Sequence, residues 1–523
     1  MHFLHMNYSQ SIQHSRVALS LWIAALLLIG ACTSNFDEVN TDQTKISVIG
    51  PAEIPYLFAK AQSSAALPGG NYQVGQNLFS DQYAQYFACV ATYFPSDRYV
   101  IRMDWLATPW SVIYTQTVPQ LKTIFEQTEP SSTEYALAQI WWVWSFHRVT
   151  DYYGPIPYFQ AGIPATSVPY DPQDQIYDDF FKKLDSAVTV LESQSGAEPY
   201  GSFDLIYGGD VSKWIKFANT LRLRLAMRVS GVDPSRAQTE AEAAVAGGVL
   251  MSSPDDDALL QRGGVNGDDN ALSLMQWNEF RMSAAMESVL KGYEDPRLEE
   301  YFDPSTVTGD YEGLRNGLTS AQLSDEKNTA AYNSLHNSAR WNSSNLDESQ
   351  NIMATAEAYF LRAEGALNGW NMGEDAKTLY NKGIEASMLQ WGITDPVLIA
   401  AYQNSTATPI APQDFLDSPP MADIPVIFAE DEATQREQIG TQKWLAMYPD
   451  GFEGWAEFRR TGYPTLYPVV NSDNPDIAAG EILRRIPFLD LEEQTNGDAV
   501  DAAVQLLDGP DVVTTPLWWD PHK

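Results

Sequence analysis

The chain has 523 residues, 44% of them apolar and 12% aromatic, with 15 Trp and 26 Tyr; it is long enough for one large or several ordinary domains and too apolar to be disordered. Its formal net charge of -36, from 32 Lys and Arg against 68 Asp and Glu, repels phosphate backbones and anionic headgroups. That argues against nucleic acid as a partner and disfavours strongly anionic polysaccharides.

Residues 1–16 carry Arg16 and no acid, and Val17 to Gly30 is apolar apart from Ser20. This is the pattern of a signal peptide, too short for a comfortable membrane span, with the start at Met1 or Met6. The string Ile29-Gly30-Ala31-Cys32 resembles a bacterial lipobox, so residues 1–31 are expected to be removed and Cys32 to carry lipid, with residues 32–50 as a tether. Cys89 then has no disulfide partner. It lies in "DQYAQYFACVATYF", which reads as a helical aromatic run with the thiol as a small buried hydrophobe.

Further along, "IWWVWSFHRVTDYYGPIPY" reads as an aromatic helix leaving into a Pro-fixed turn. Trp141, Trp142 and Trp144 cannot share one side of it, so at least one must meet a second helix, a loop or a partner. In "DPQDQIYDDFFKKLDSAVTVLE", Ile176, Phe180, Leu184, Ala187, Val188 and Leu191 recur at helical spacing after a start signal at Asp171-Pro172. "VSKWIKFANTLRLRLAMRVS" puts Trp214, Phe217, Leu221, Leu225 and Val229 on one stripe, and the Ala-rich helix after Pro234 makes the pair a hairpin. Residues 252–350 are rich in Gly, Asn, Asp and Ser and read as a loop-rich insert carrying ligand contacts. A second hairpin, "MATAEAYFLRAEGALNGW" with "GEDAKTLYNKGIEASMLQWG", places Gly365 and Gly383 where helices must approach and Tyr359, Phe360 and Tyr380 in the gaps. The alternation resembles tetratricopeptide hairpins without a clean repeat.

Catalytic signatures are absent. Beyond the signal only His147, His336 and His522 remain, with no paired spacing, and there is no H-E-x-x-H, G-x-S-x-G or Walker A string. "VNGDDN" and "NSDNPDIAAGE" lack the ligand pattern of an EF-hand and read as turns. No cofactor is expected, and a structural cation such as calcium is left unassigned.

Several strings together resemble one family: "FDEVNTD", "DYYGPIPY", "LIYGGDVSKWIKFANTLRLRLAMRVS", "DPRLEEYF", "EAYFLRAEGAL", "GWAEFRRTGYP" and "RRIPF" look like the SusD/RagB outer-membrane lipoproteins of Bacteroidetes. The resemblance implies a mainly α fold of four tetratricopeptide-like hairpins with irregular inserts over residues 51–523. It also implies a surface-exposed, lipid-anchored, non-catalytic protein that captures oligosaccharide and hands it to a partner SusC-like TonB-dependent transporter. Peptide capture is the near variant; a surface glycoside hydrolase is the reading from another class. The "GWAEFRRTGYP" box reads as scaffold, with Arg459 and Arg460 beside Glu457 as an internal ion pair.

A pyranose packs its C–H face on an aromatic ring and its hydroxyl rim against Asp, Asn, Arg or Gln. On that ground the candidate ligand residues are Asp97, Arg98 and Trp105, with Trp110 in the same string; Trp277, Asn278 and Arg281; Tyr311; and Trp341 and Asn342 beside Arg340. Trp341 is the leading candidate, because its sequence neighbours offer almost nothing apolar to bury against.

Overall fold

The computed structural model describes residues 50–274, 279–478 and 480–522. The signal segment, Cys32 and almost all of the tether lie outside them. Residues from Pro55 onward form one compact unit.

Helix α1 (Ile54–Ala65) leads through a helical turn at Gly70–Tyr72, a π-turn at Gln73–Asn77 and a second helical turn at Ser80–Tyr83 to strand β1 (Phe87–Cys89). Helix α2 (Met103–Val112) passes through another π-turn (Ile113–Thr117) into α3 (Val118–Gln127). Two long pairs follow, α4 (Thr133–Tyr153) with α5 (Gln173–Ser193) and α6 (Val211–Arg228) with α7 (Pro234–Gly247). The polar insert carries β2 (Ala258–Leu260), β3 (Phe280–Met282), α8 (Ala284–Gly292) and β4 (Gln350–Met353). Then come α9 (Thr355–Leu367) with α10 (Ala376–Gln390), α11 (Pro396–Gln403), α12 (Glu432–Met447) with α13 (Gly451–Thr461), and α14 (Asp490–Val504).

The four pairs are helical hairpins, and they stack because α5 packs on α6, α6 on α9 and α9 on α12. Each forms for local reasons. The apolar stripe of α5 is buried as Ile176, Phe180, Leu184, Ala187 and Leu191, with Tyr177 and Phe181 beside it and Val188 half-buried at its edge. Helix α6 is capped by Asp210, whose carboxylate accepts from the backbone N–H groups of Ser212 and Lys213, and α7 by Asp233, which accepts from Arg236 N. Helix α4 is buried on almost every side, and its three tryptophans are core: Trp141 stacks on Trp144 at 4.3 Å, while Trp142 meets Phe125 on α3. No helix among the described residues is long and apolar enough to cross a membrane.

Among the described residues, strand pairing beyond isolated bridges comes in two antiparallel ribbons, β1 with β3 and β2 with β4. The first corrects the sequence reading of "DQYAQYFACVATYF": only Ser80–Tyr83 is helical there, Gln85 takes a left-handed φ of 52°, and Phe87–Cys89 continues as a strand. Cys89 is a buried free thiol.

Close approach in the α9–α10 hairpin depends on Gly383. A Cβ there would stand 2.7 Å from the Phe360 ring. Gly383→Ala is therefore expected to cost about 1–3 kcal/mol, read as a lowered thermal midpoint, while Gly497→Ala, with nothing within 4 Å of its Cβ position, leaves the midpoint unchanged or raises it.

The interior also holds carboxylates that pin loops. Asp81 accepts from the Tyr72 hydroxyl (2.6 Å), Gln76 Nε2 (3.0 Å) and Gly451 N (3.1 Å), and burial pushes its pKa up to about 7. Glu287 accepts from Gly313 N and Gln413 N and is also pushed by burial to about 7. Both folded-state values lie above the unfolded ones. The stability each contributes is thus complete below the ordinary carboxylate range and is lost as pH rises through about 7. We expect the calorimetric midpoint to rise by several degrees as pH falls from about 8 to about 5; a midpoint that is flat or falls over that interval contradicts this assignment.

Candidate functional site

After β1 the chain turns outward, with Val90 N donating to Glu279 O, and presents two consecutive rings, Tyr93 and Phe94. Tyr93 is 64% exposed, a large value for an aromatic side chain. Its ring lies 4.6 Å from Phe94, which is stacked at 6.0 Å on the buried Phe280 of β3 and meets Trp105 of α2 edge-on at 5.5 Å. The paired strands β1 and β3 thus supply the floor, and the start of α2 supplies the far side.

Polar groups hold this aromatic shelf in place. The Tyr93 hydroxyl donates to Glu279 Oε1 (2.6 Å), and Gln73 Nε2 donates to Glu279 Oε2 (2.7 Å). The hydrogen bond to Glu279 pushes the Tyr93 phenol up to about 12, so it keeps its proton and remains a donor. The Arg102 guanidinium lies 4.2 Å above the Trp105 ring and grips Asp104 through two bonds, Nε to Oδ1 at 3.0 Å and Nη2 to Oδ2 at 2.7 Å. That pairing holds the Asp104 carboxyl below its usual range. The result is an exposed apolar face rimmed by the Arg102–Asp104 pair, which is open to solvent, and braced from beneath by the buried Glu279.

A recess is built on the same N-terminal segment: Gln73 serves the shelf, while Tyr72 and Gln76 line a narrow cleft of about 90 Å³. Arg148, Arg340, Trp341 and Trp391 also line it, with Arg340 5.0 Å above Trp391 and bonded to Glu348 at 3.1 Å.

The candidate residues divide accordingly. Trp105 is on the shelf. Trp341 lines the cleft but is only 3% exposed, edge-on to Trp391 at 5.9 Å and Tyr448 at 6.3 Å; its apolar neighbours come from far along the chain, and it has no open ring face. Asp97 is buried, accepting from Cys89 N (3.3 Å) and Gly317 N (3.2 Å), and burial pushes it up to about 6. Arg98 pairs with Asp473 and donates to Leu318 O, and Arg281 donates to Ala330 O and Phe280 O. These three are buried and hold loops together. Asn342 braces its own loop, donating to Ser338 O and accepting from Ser344 N. Tyr311 is half-buried, its carbonyl accepting from Lys291 Nζ. Trp277 and Asn278 lie outside the described residues.

Tyr93 and Phe94 were missed by sequence reasoning. Adjacent rings just before Pro95, in a polar stretch following a strand, were the available signal. In the "GWAEFRRTGYP" box, Arg460 bonds Glu457 (2.7 Å) and Glu364 (2.6 Å), and Arg459 packs 3.6 Å over Trp455. That is a scaffold role, as expected. Among the described residues no cluster of three or more His, Cys, Asp or Glu is placed to hold a metal ion.

Comparison with known proteins places these features. A family model described as "SusD-like: Susd and RagB outer membrane lipoprotein" matches residues 38–520, and no curated protein matches. A chitin-binding SusD homologue from Flavobacterium johnsoniae is 35% identical, with 90% of this chain and 99% of that one covered at a TM-score of 0.81. A SusD-like protein from Bacteroides thetaiotaomicron is also 35% identical, covering 89% and 98% at 0.81. A SusD homologue from Bacteroides vulgatus is 32% identical, covering 90% and 98% at 0.80. Matched over residues 38–520 by the family model and along about nine-tenths of its length by solved relatives at 35% identity, the chain belongs to the SusD and RagB family of outer-membrane lipoproteins.

Proposed function

We propose that this protein captures neutral oligosaccharide at the Tyr93–Phe94–Trp105 shelf and passes it to a SusC-like TonB-dependent transporter, facing the cell exterior from a lipid anchor at Cys32. The observation that carries the reading is Tyr93: a 64% exposed ring locked by Glu279 beside two further rings. An immobilised ring face can take the C–H face of a sugar with little loss of side-chain entropy, and the Arg102–Asp104 pair supplies donors and acceptors for the hydroxyl rim. The net charge of -36 favours uncharged glycans over polyanions. Chitin oligosaccharides are the first ligands to try, because one of the relatives is chitin-binding.

The test is calorimetric titration of the mature chain against chitin-, cellulose- and starch-derived oligosaccharides and short peptides, with the products analysed after incubation. Binding to a glycan with the ligand recovered intact supports capture. Cleaved products would support the hydrolase reading, and binding confined to peptides would redirect the assignment to peptide capture.

A further inference from the structure

A second cavity stands apart from the shelf and the cleft, sharing no lining residue with the shelf rings. It measures about 330 Å³ and lies between the C-terminal end of α2, the segment 157–168 and α14. That is at the lower end of the roughly 300–1,000 Å³ typical of small-molecule sites.

Its construction is specific. Trp110 and Tyr114 form an aromatic wall with ring centroids 4.7 Å apart. Tyr114 sits in the π-turn Ile113–Thr117, where one extra residue per turn re-aims the side chains; such insertions are frequent at functional sites. Facing it, residues 159–168 run as an irregular strap clasped to α14 by one side chain. Asn496 Oδ1 accepts from Ser167 Oγ (2.7 Å) and Val168 N (3.3 Å), and its Nδ2 donates to Val168 O (2.8 Å). The backbone of Asn496 leaves helical geometry at φ -141°, ψ 31°, a kink inside α14 at the residue that makes the clasp.

The polar inventory defines a chemistry. The Gln160 amide and Thr166 hydroxyl are exposed at the mouth and hydrogen-bond no other group among the described residues. No lining residue is basic, and Glu492 is the one lining carboxylate, accepting from the Tyr170 hydroxyl at 3.1 Å. An anionic ligand would find no counter-charge there. A neutral, hydroxyl-rich one finds an aromatic wall, free amide and hydroxyl groups and a carboxylate acceptor.

We propose that this cavity is a second binding site, for a neutral saccharide of one or two rings, closed over by the strap that Asn496 clasps. The site is independent of the shelf, so the full mature chain can be titrated with N,N′-diacetylchitobiose, cellobiose and maltose in three forms: wild type, the shelf variant Tyr93→Ala/Trp105→Ala, and the cavity variant Gln160→Ala/Thr166→Ala. The cavity substitutions are at exposed positions, and an unchanged thermal midpoint checks their fold. Expected is binding of at least one disaccharide that survives in the shelf variant and weakens fivefold or more in the cavity variant, with Asn496→Ala weakening it as well. Abolition of all binding by the shelf substitutions alone overturns the second site and leaves the capture reading intact. Binding insensitive to the shelf substitutions but lost with the cavity ones supports the second site and does not bear on shelf binding of longer oligosaccharides. No binding of any of the three sugars to wild type overturns the second site.

Discussion

Arg228→Ala is expected to destabilise the protein by about 3–5 kcal/mol, seen as a large drop in both the urea and the thermal midpoint. Arg228 is fully buried near the end of α6, with Nη2 2.6 Å from Glu453, Nη1 2.9 Å from Glu457 and Nε 3.3 Å from Asp151. Those carboxylates come from α13 and α4, so one guanidinium ties three helices of the stack together. Neighbouring pairs extend the network: Arg224 with Glu357 at 2.6 Å, Lys443 with Glu457 at 3.0 Å and Arg460 with Glu364 at 2.6 Å.

Burial by itself pushes the Glu457 carboxyl up, and Arg460, Lys443 and Arg228 together outweigh it and hold the group well below its usual range. Removing Arg228 leaves Glu453 and Asp151 without their main counter-charge, and uncompensated buried charge is what makes the loss large. Arg228→Lys places a point charge where a fork made three contacts, so it should recover only part of the stability. A loss below about 1 kcal/mol for the alanine variant would mean that the carboxylates find other partners or take up protons at little cost.

Tyr93→Ala and Trp105→Ala are each expected to weaken glycan binding about 10- to 100-fold, or about 1.4–2.8 kcal/mol. The stability cost should be small for Tyr93, which is 64% exposed, and moderate for Trp105, which is half-buried against Phe94 and Arg102. Tyr93→Phe separates the ring from its hydroxyl. It keeps the stacking face and loses the bond to Glu279, so it should retain most of the affinity while loosening the loop.

The helical scaffold was legible because its causes are local. The stripes of α5 and α6 and the small residue at Gly383 each show themselves within a few residues of sequence, and the structure buries and closes them accordingly. The ligand face was legible only in part, because exposure is a property of distant neighbours. Trp341 stands in polar sequence, yet Trp391 and Tyr448 arrive from elsewhere in the chain to cover it. Asp97 and Arg281 look like rim residues in sequence, but backbone groups of Gly317 and Ala330, far away in number, claim them. Tyr93 has the reverse history: "VATYFP" reads as part of an aromatic core run until the strand at Phe87–Cys89 ends and turns the ring outward.

Calorimetric titration of chitin oligosaccharides into wild type, Tyr93→Phe and Trp105→Ala decides whether glycan binds on the exposed, rigid aromatic shelf. If it does, wild type binds, Tyr93→Phe binds nearly as well, and Trp105→Ala binds at least tenfold more weakly with an unchanged fold. Equal affinity of Trp105→Ala and wild type for a glycan that the protein does bind would contradict shelf binding.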